Sequence, residues 1–187
     1  MFKTLLPDGY YRNFAEIPSQ LFKNKHYMVS DLDQTVILKN YKVHSLSVEA
    51  VNSLKTYKEA GLKHLVFLTN TNARELKKRR AEYFAKLIAA QTGLQVDCIC
   101  LNYRERKPKN IGFQRAISLL GCIPDQIVMV GDQLVADIKG GNRNNLFTVL
   151  VDNLGRYHWQ SWISGRVIRN KLAFLGLRLR FGLDYSK

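Results

Sequence analysis

Asp31-Leu32-Asp33-Gln34-Thr35 follows directly on the apolar run Tyr27-Met28-Val29-Ser30. Two carboxylates spaced this way, leaving an extended segment, face one side. There they can ligate a hard cation through oxygen, or divide the work of nucleophile and general acid. Two solvated acids in a turn is the plain alternative, and the motif alone does not separate these readings. Thr69-Asn70-Thr71-Asn72 offers hydroxyl and amide groups before a helical pattern, either as an N-cap or as donors to an anion. Arg104-Glu105-Arg106-Lys107-Pro108-Lys109 is a basic loop in which Pro108 restricts the chain just after Lys107. Gly131-Asp132-Gln133-Leu134-Val135-Ala136-Asp137 brings two further carboxylates, with Gly131 allowing a sharp turn between strand and helix.

The elements that must position these groups alternate regularly. Tyr27–Ser30, Leu62–Thr69, Gln95–Leu101, Ile127–Val130 and Leu146–Val151 read as buried strands. Between them lie helical patterns. The first is capped by Ser47 and ended by Gly61, with Ala50, Val51, Leu54 and Tyr57 on one face. The second runs from Ala73 to about Gln91, with Leu76, Tyr83 and Leu87 as its apolar stripe and Gly93 as its stop. The third begins near Pro108 and repeats Phe113, Ala116, Ile117 and Leu120 before Gly121. Apolar strands separated by single helices predict an α/β fold, a parallel sheet with helices on both faces. Such sheets bind ligands at the carboxyl ends of their strands. Every chemical motif above falls at such an end.

Together the motifs form one consistent site. Asp31, Asp33, Asp132 and Asp137 would repel one another and shift toward protonation unless a divalent cation neutralised them. Thr69 and Lys107 supply donors for a phosphoryl group. Metal-assisted phosphoryl transfer is the chemistry this combination fits.

In these motifs the chain resembles the haloacid dehalogenase (HAD) superfamily of aspartate-nucleophile phosphatases, which have a Rossmann-like fold. The opening Leu5-Leu6-Pro7-Asp8-Gly9-Tyr10, the Arg106-Lys107-Pro108 triplet and the segment from Gly131 to Arg143 resemble its capless subfamily IIIA, the YqeG-like branch. That branch is related to phosphatidylglycerophosphate phosphatases. The resemblance implies Asp31 as nucleophile, Asp33 as acid/base, and Thr69, Asn70 and Lys107 as substrate-binding residues. It implies Mg²⁺ on Asp31, the Asp33 carbonyl, Asp132 and Asp137. Gln34 stands where Asn is usual in the first motif, and Thr-Asn-Thr-Asn replaces a Ser-Asn-Asn type second motif. The segments from Thr35 to Thr69 and from Thr69 to Lys107 leave no room for an inserted cap domain. An open site suits a phosphate on something large. The product expected from the branch is phosphatidylglycerol. Phosphatases acting on nucleic-acid ends or phosphoproteins, and a non-catalytic phosphate-binding module, are the alternatives.

Composition bounds the rest. The chain has 187 residues, 46% of them hydrophobic, and a formal charge of +14 from 29 basic and 15 acidic residues. This excludes disorder and favours one domain with an anionic partner. Residues 1–155 are expected to form the phosphatase domain, with residues 156–187 a basic, aromatic, helical tail of the same domain. From Asn153 onward there are seven basic residues and one acid, Asp184. Trp159, Trp162, Ile163, Val167, Phe174 and Leu177 share one arc of a helical wheel; Ile168, Leu172, Leu175 and Leu179 share the other. Two apolar arcs with arginines between them suit an anionic membrane surface, with packing on the core or a dimer contact as the alternatives. Nucleic acid fits this aliphatic tail less well. Three sparse cysteines, no secretory leader and no spanning run point to an intracellular protein, peripheral on a membrane. Lys77-Lys78-Arg79-Arg80 reads as a solvated helix face, and Cys98 and Cys100 as core.

Overall fold

A computed structural model describes residues 3–39, 44–72, 74–154 and 166–182. Its centre is a six-stranded, wholly parallel sheet in the order β1-β8-β7-β2-β5-β6. The strands are β1 Gly9–Tyr11, β2 Tyr27–Ser30, β5 His64–Asn70, β6 Gln95–Leu101, β7 Ile127–Gly131 and β8 Phe147–Val151. A small antiparallel hairpin, β3 Ile37–Lys39 and β4 His44–Leu46, stands apart from the sheet. The helices are α1 Val48–Ala60, α2 Glu75–Thr92, α3 Asn110–Leu120, α4 Lys139–Arg143 and α5 Arg166–Phe181. This is the α/β parallel-sheet architecture that the apolar strand runs predict, and the Rossmann-like fold that the resemblance implies.

Strand side chains alternate between two cores, as a pleated chain requires. Met28, Leu65, Phe67, Val128 and Val130 face α1 and α2, where Leu54, Tyr57, Phe84 and Ile88 meet them. Val29, Val66, Leu68, Ile127 and Met129 face α3 through Phe113, Ala116 and Leu120. Burial on both faces explains why these strands carry no polar alternation.

Four features depart from the sequence reading. First, α2 buries Ala81, Phe84, Ala85 and Ile88, whereas Leu76 and Tyr83 are exposed. The small alanines let α2 pack closely on the sheet, so a stripe drawn through the largest residues misplaces its face. Second, β1 is an unforeseen edge strand. Asp8 pins it, its Oδ2 accepting the Thr148 backbone N–H at 2.7 Å. Third, a hairpin, β3–β4, follows the first motif, where the sequence reading places no strand. Fourth, Lys77 to Arg80 is not uniformly solvated: Arg80 is half-buried and turned toward the first motif. Among the described residues no inserted domain lies between Thr35 and Thr69 or between Thr69 and Lys107. Trp159, Trp162 and Ile163 lie outside the described residues.

Candidate active site

The loop leaving β2 is wound tightly. The Asp31 amide still donates to Val130 O (2.9 Å), continuing the pairing of β2 with β7. Beyond it, the Val36 and Ile37 amides both donate to Leu32 O, at 3.2 and 3.0 Å, closing a compact turn. Gln34 occupies the left-handed region at φ 67°, and its amide donates to Ile37 O at 2.7 Å. This turn sends Asp31 and Asp33 to different partners.

Asp31 points into a buried polar nest. Lys107 Nζ lies 3.0 Å from Asp31 Oδ1 and 2.7 Å from Asp137 Oδ1. Carboxylate oxygens of Asp31, Asp132 and Asp137 all lie within 4.8 Å of one another. Asp132 follows β7 directly and accepts a hydrogen bond from Asn153 Nδ2 at 3.2 Å. Asp137 sits in a single π-helical turn, Leu134–Ile138, where its Oδ2 accepts the Gln133 amide at 3.1 Å. A π-turn inserts one extra residue per turn and is common where a side chain must be aimed. The Lys107 loop is braced from β5: the Lys107 amide donates to Asn70 Oδ1 at 3.0 Å. Thr69 is buried at the end of β5 beside it.

Burial dominates the electrostatics of this nest. It raises the Asp31 carboxyl to about 6, an effect that Lys107 opposes and Asp137 reinforces. Burial, with Asp31 and Asp137 adding to it, raises Asp132 well above the carboxylate range. Burial also favours the neutral amine of Lys107, but Asp137 and Asp31 outweigh it and hold the ammonium above its ordinary value. Three carboxylates facing one ammonium leave a net charge of −2 (three minus one) when all are ionised. Hard oxygen donors in that excess are the donor set a divalent cation takes.

Asp33 is held apart from this nest. Both its oxygens accept from Arg80 Nη2 at 2.7 Å, and Arg80 Nη1 lies 3.0 Å from His44 Nε2. The sequence reading missed Arg80, His44 and Asn153. Arg80 was concealed in a basic run, and His44 and Asn153 carry no spacing signal. Asp31, Lys107, Asp132 and Asp137, by contrast, do converge. Thr69 and Asn70 flank the Lys107 loop, and Asn70 has a structural bond there.

The chain has relatives among known proteins. Residues 105–158, which include Lys107, Asp132 and Asp137, match the HAD-hydrolase-like family model. The chain is 28% identical over 151 residues to the probable phosphatase YqeG of Bacillus subtilis, covering 80% of this chain and 78% of that one. It is 36% identical over 99 residues to a chloroplastic/mitochondrial phosphatidylglycerophosphate phosphatase 1 of Arabidopsis thaliana. That match covers 53% of this chain but only 27% of the plant protein. An uncharacterized protein from Listeria monocytogenes shares the fold, with TM-score 0.52 and 17% identity over 78% of this chain and 98% of its own.

Proposed function

We propose that this chain is a HAD-type phosphatase that hydrolyses the phosphomonoester of a phospholipid headgroup at an anionic membrane surface. Phosphatidylglycerophosphate is the proposed substrate and phosphatidylglycerol the product. The observation that carries the chemistry is Asp31, buried against Lys107 and two further carboxylates at the carboxyl end of the sheet.

In the proposed reaction, an Asp31 oxygen attacks phosphorus and the phosphorus–oxygen ester bond breaks. The leaving oxygen takes a proton from Asp33. Asp33 then accepts a proton from water, whose oxygen attacks phosphorus, releasing inorganic phosphate and restoring the Asp31 carboxylate. Lys107 offsets the negative charge that collects around Asp31. Mg²⁺ would be held by Asp31, Asp132, Asp137 and the Asp33 carbonyl, and when bound supplies positive charge that stabilises the transferring phosphoryl group. Thr69 and Asn70 would line the phosphate's approach.

The lipid assignment rests on the plant relative and on α5. Phe174 of α5 packs on Tyr10 at 4.8 Å between ring centroids and joins a small cluster with Leu134, Ile138 and Leu150. On the other side, Leu172, Leu175 and Leu179 are 62%, 51% and 76% exposed. Arg166–Phe181 carries five basic residues and no acid. An outward leucine row among cations fits an anionic lipid surface. No described helix is long and apolar enough to cross a membrane.

The test is phosphate release by wild type and Asp31→Asn from phosphatidylglycerophosphate vesicles, a phosphopeptide and 3′-phosphorylated DNA. Release from the lipid, lost in the variant, is the expected result. Faster release from either other substrate would move the assignment to that class, and release unaffected by the substitution would remove Asp31 as nucleophile.

A further inference from the structure

Asp31 and Asp33 leave the same strand, yet each has its own cation. Lys107 faces Asp31 and Arg80 faces Asp33. The second pairing joins three elements. Asp33 belongs to the turn after β2, Arg80 lies on α2, and His44 opens β4. A guanidinium has only donors, so His44 Nε2 is the acceptor of the Nη1 contact. Nη2 is engaged by both Asp33 oxygens and Nη1 by the imidazole, which fixes the guanidinium plane from two sides.

A side chain in that position has a specific task. Asp33 stands on a turn with its side chain 25% exposed, and the contact with Arg80 narrows the rotamers open to it. A proton donor must sit within hydrogen-bond reach of the leaving oxygen, so freedom at Asp33 lowers the rate of that step. We infer that Arg80, held by His44, is a positioning residue for Asp33: one Asp33 oxygen keeps its bond to Nη2 while the other, once protonated, gives the proton to the leaving-group oxygen. The inference rests on the phosphatase reading above. It adds to that reading a second, non-nucleophilic arm of the site built from α2 and the hairpin. Direct capture of the substrate phosphate fits less well, because both terminal nitrogens already have partners.

Leaving groups separate the two roles. A p-nitrophenolate leaves as a stable anion and needs little proton assistance, whereas an alkoxide needs the proton from Asp33. Steady-state kinetics of wild type, Arg80→Met, Arg80→Lys, Asp33→Asn and the Asp33→Asn/Arg80→Met double variant would be compared on p-nitrophenyl phosphate and on an alkyl phosphate. Thermal unfolding would accompany each. Arg80→Met is expected to lower kcat/KM, which reports leaving-group departure and not the later attack of water, by about tenfold more on the alkyl ester than on the nitrophenyl ester, a part of the roughly 10²–10⁴-fold that a general acid contributes. KM should hardly change, and Arg80→Lys should recover part of the loss, since it keeps the charge without the fork. The double variant should be no slower than Asp33→Asn alone, because both changes remove one function. Equal losses on both esters, a raised KM at constant kcat, or additive losses would overturn the inference while leaving the phosphatase reading intact. A wild-type chain inactive on both esters would overturn the reading and the inference together.

Discussion

A β-carbon placed on Gly131 would overlap the Asp137 carboxyl group. The glycine at the end of β7 therefore makes room for a carboxylate rather than for a turn. Gly131→Ala would push Asp137 off both Lys107 Nζ and the Gln133 amide. Overpacking of this kind costs about 1–3 kcal/mol. We expect the variant to fold with a lowered melting temperature and to lose most of its phosphatase activity. Wild-type values in both assays would mean that Asp137 has a second acceptable position.

Removing Lys107 leaves Asp31 and Asp137 buried without their shared cation. Breaking a buried ion pair from one side costs about 3–5 kcal/mol. Lys107→Met should therefore unfold at markedly lower urea than wild type. Lys107 is the cation that opposes the rise in the Asp31 pKa, so its loss drives that carboxyl still higher. Part of the stability should then return on acidification, as Asp31 takes up a proton. Adding Asp137→Asn to Lys107→Met should also recover stability. A double variant weaker than the single one would contradict this account.

The same nest sets a pH and metal dependence. Asp31 is raised from 3.8 to about 6 in the fold. The folded state therefore holds that proton more tightly than the unfolded chain. Between those two values the contribution of Asp31 to stability falls as pH rises. Asp132 is shifted in the same direction. In chelator, wild type should gain on Asp132→Asn in melting temperature as pH is lowered from 7 to 5. At pH 7, Mg²⁺ should raise the wild-type melting temperature, since a ligand bound only by the folded state stabilises it. The rise should shrink in Asp132→Asn. Identical melting in Mg²⁺ and in chelator would show that the three carboxylates hold no such ion.

What the sequence revealed follows from the range of the physics. Asp31, Lys107, Asp132 and Asp137 were legible because each ends or follows a strand, and parallel strands carry their ends to one edge whatever the details of packing. The strands themselves were legible because burial on both faces leaves unbroken apolar runs. The packed face of α2 was not, because closeness to the sheet favoured Ala81 and Ala85 over the bulkier Leu76 and Tyr83. Arg80 and His44 were concealed for a related reason. Their meeting depends on the angle at which α2 passes the β3–β4 hairpin, which neither local pattern encodes. Asn153 likewise reaches Asp132 only through the register of β8 against β7. The β1 edge strand is short, and its place depends on one distant pairing, Asp8 with Thr148.

The outward face of α5 supplies the last prediction. Leu172, Leu175 and Leu179 recur at spacings of three and four, so they align along one side of the helix. Phe174 occupies the opposite, packed side, so the leucine row can be altered without cutting into the cluster around Leu150. Leu172→Ser/Leu175→Ser/Leu179→Ser should therefore keep the fold and the hydrolysis of p-nitrophenyl phosphate. It should lose sedimentation with vesicles containing anionic lipid. Wild type should bind those vesicles more strongly at low salt, because each basic residue near the surface contributes about 1 kcal/mol that salt screens. A salt-resistant remainder should persist in wild type and vanish in the triple variant, since salt does not screen the insertion of apolar side chains. Equal binding by both proteins would assign the leucine row another occupant, such as a second copy of the chain, which sedimentation equilibrium would detect as a dimer. The nest at the carboxyl end of the sheet would then need a different route to a lipid headgroup, and the nucleic-acid and phosphopeptide substrates would take precedence.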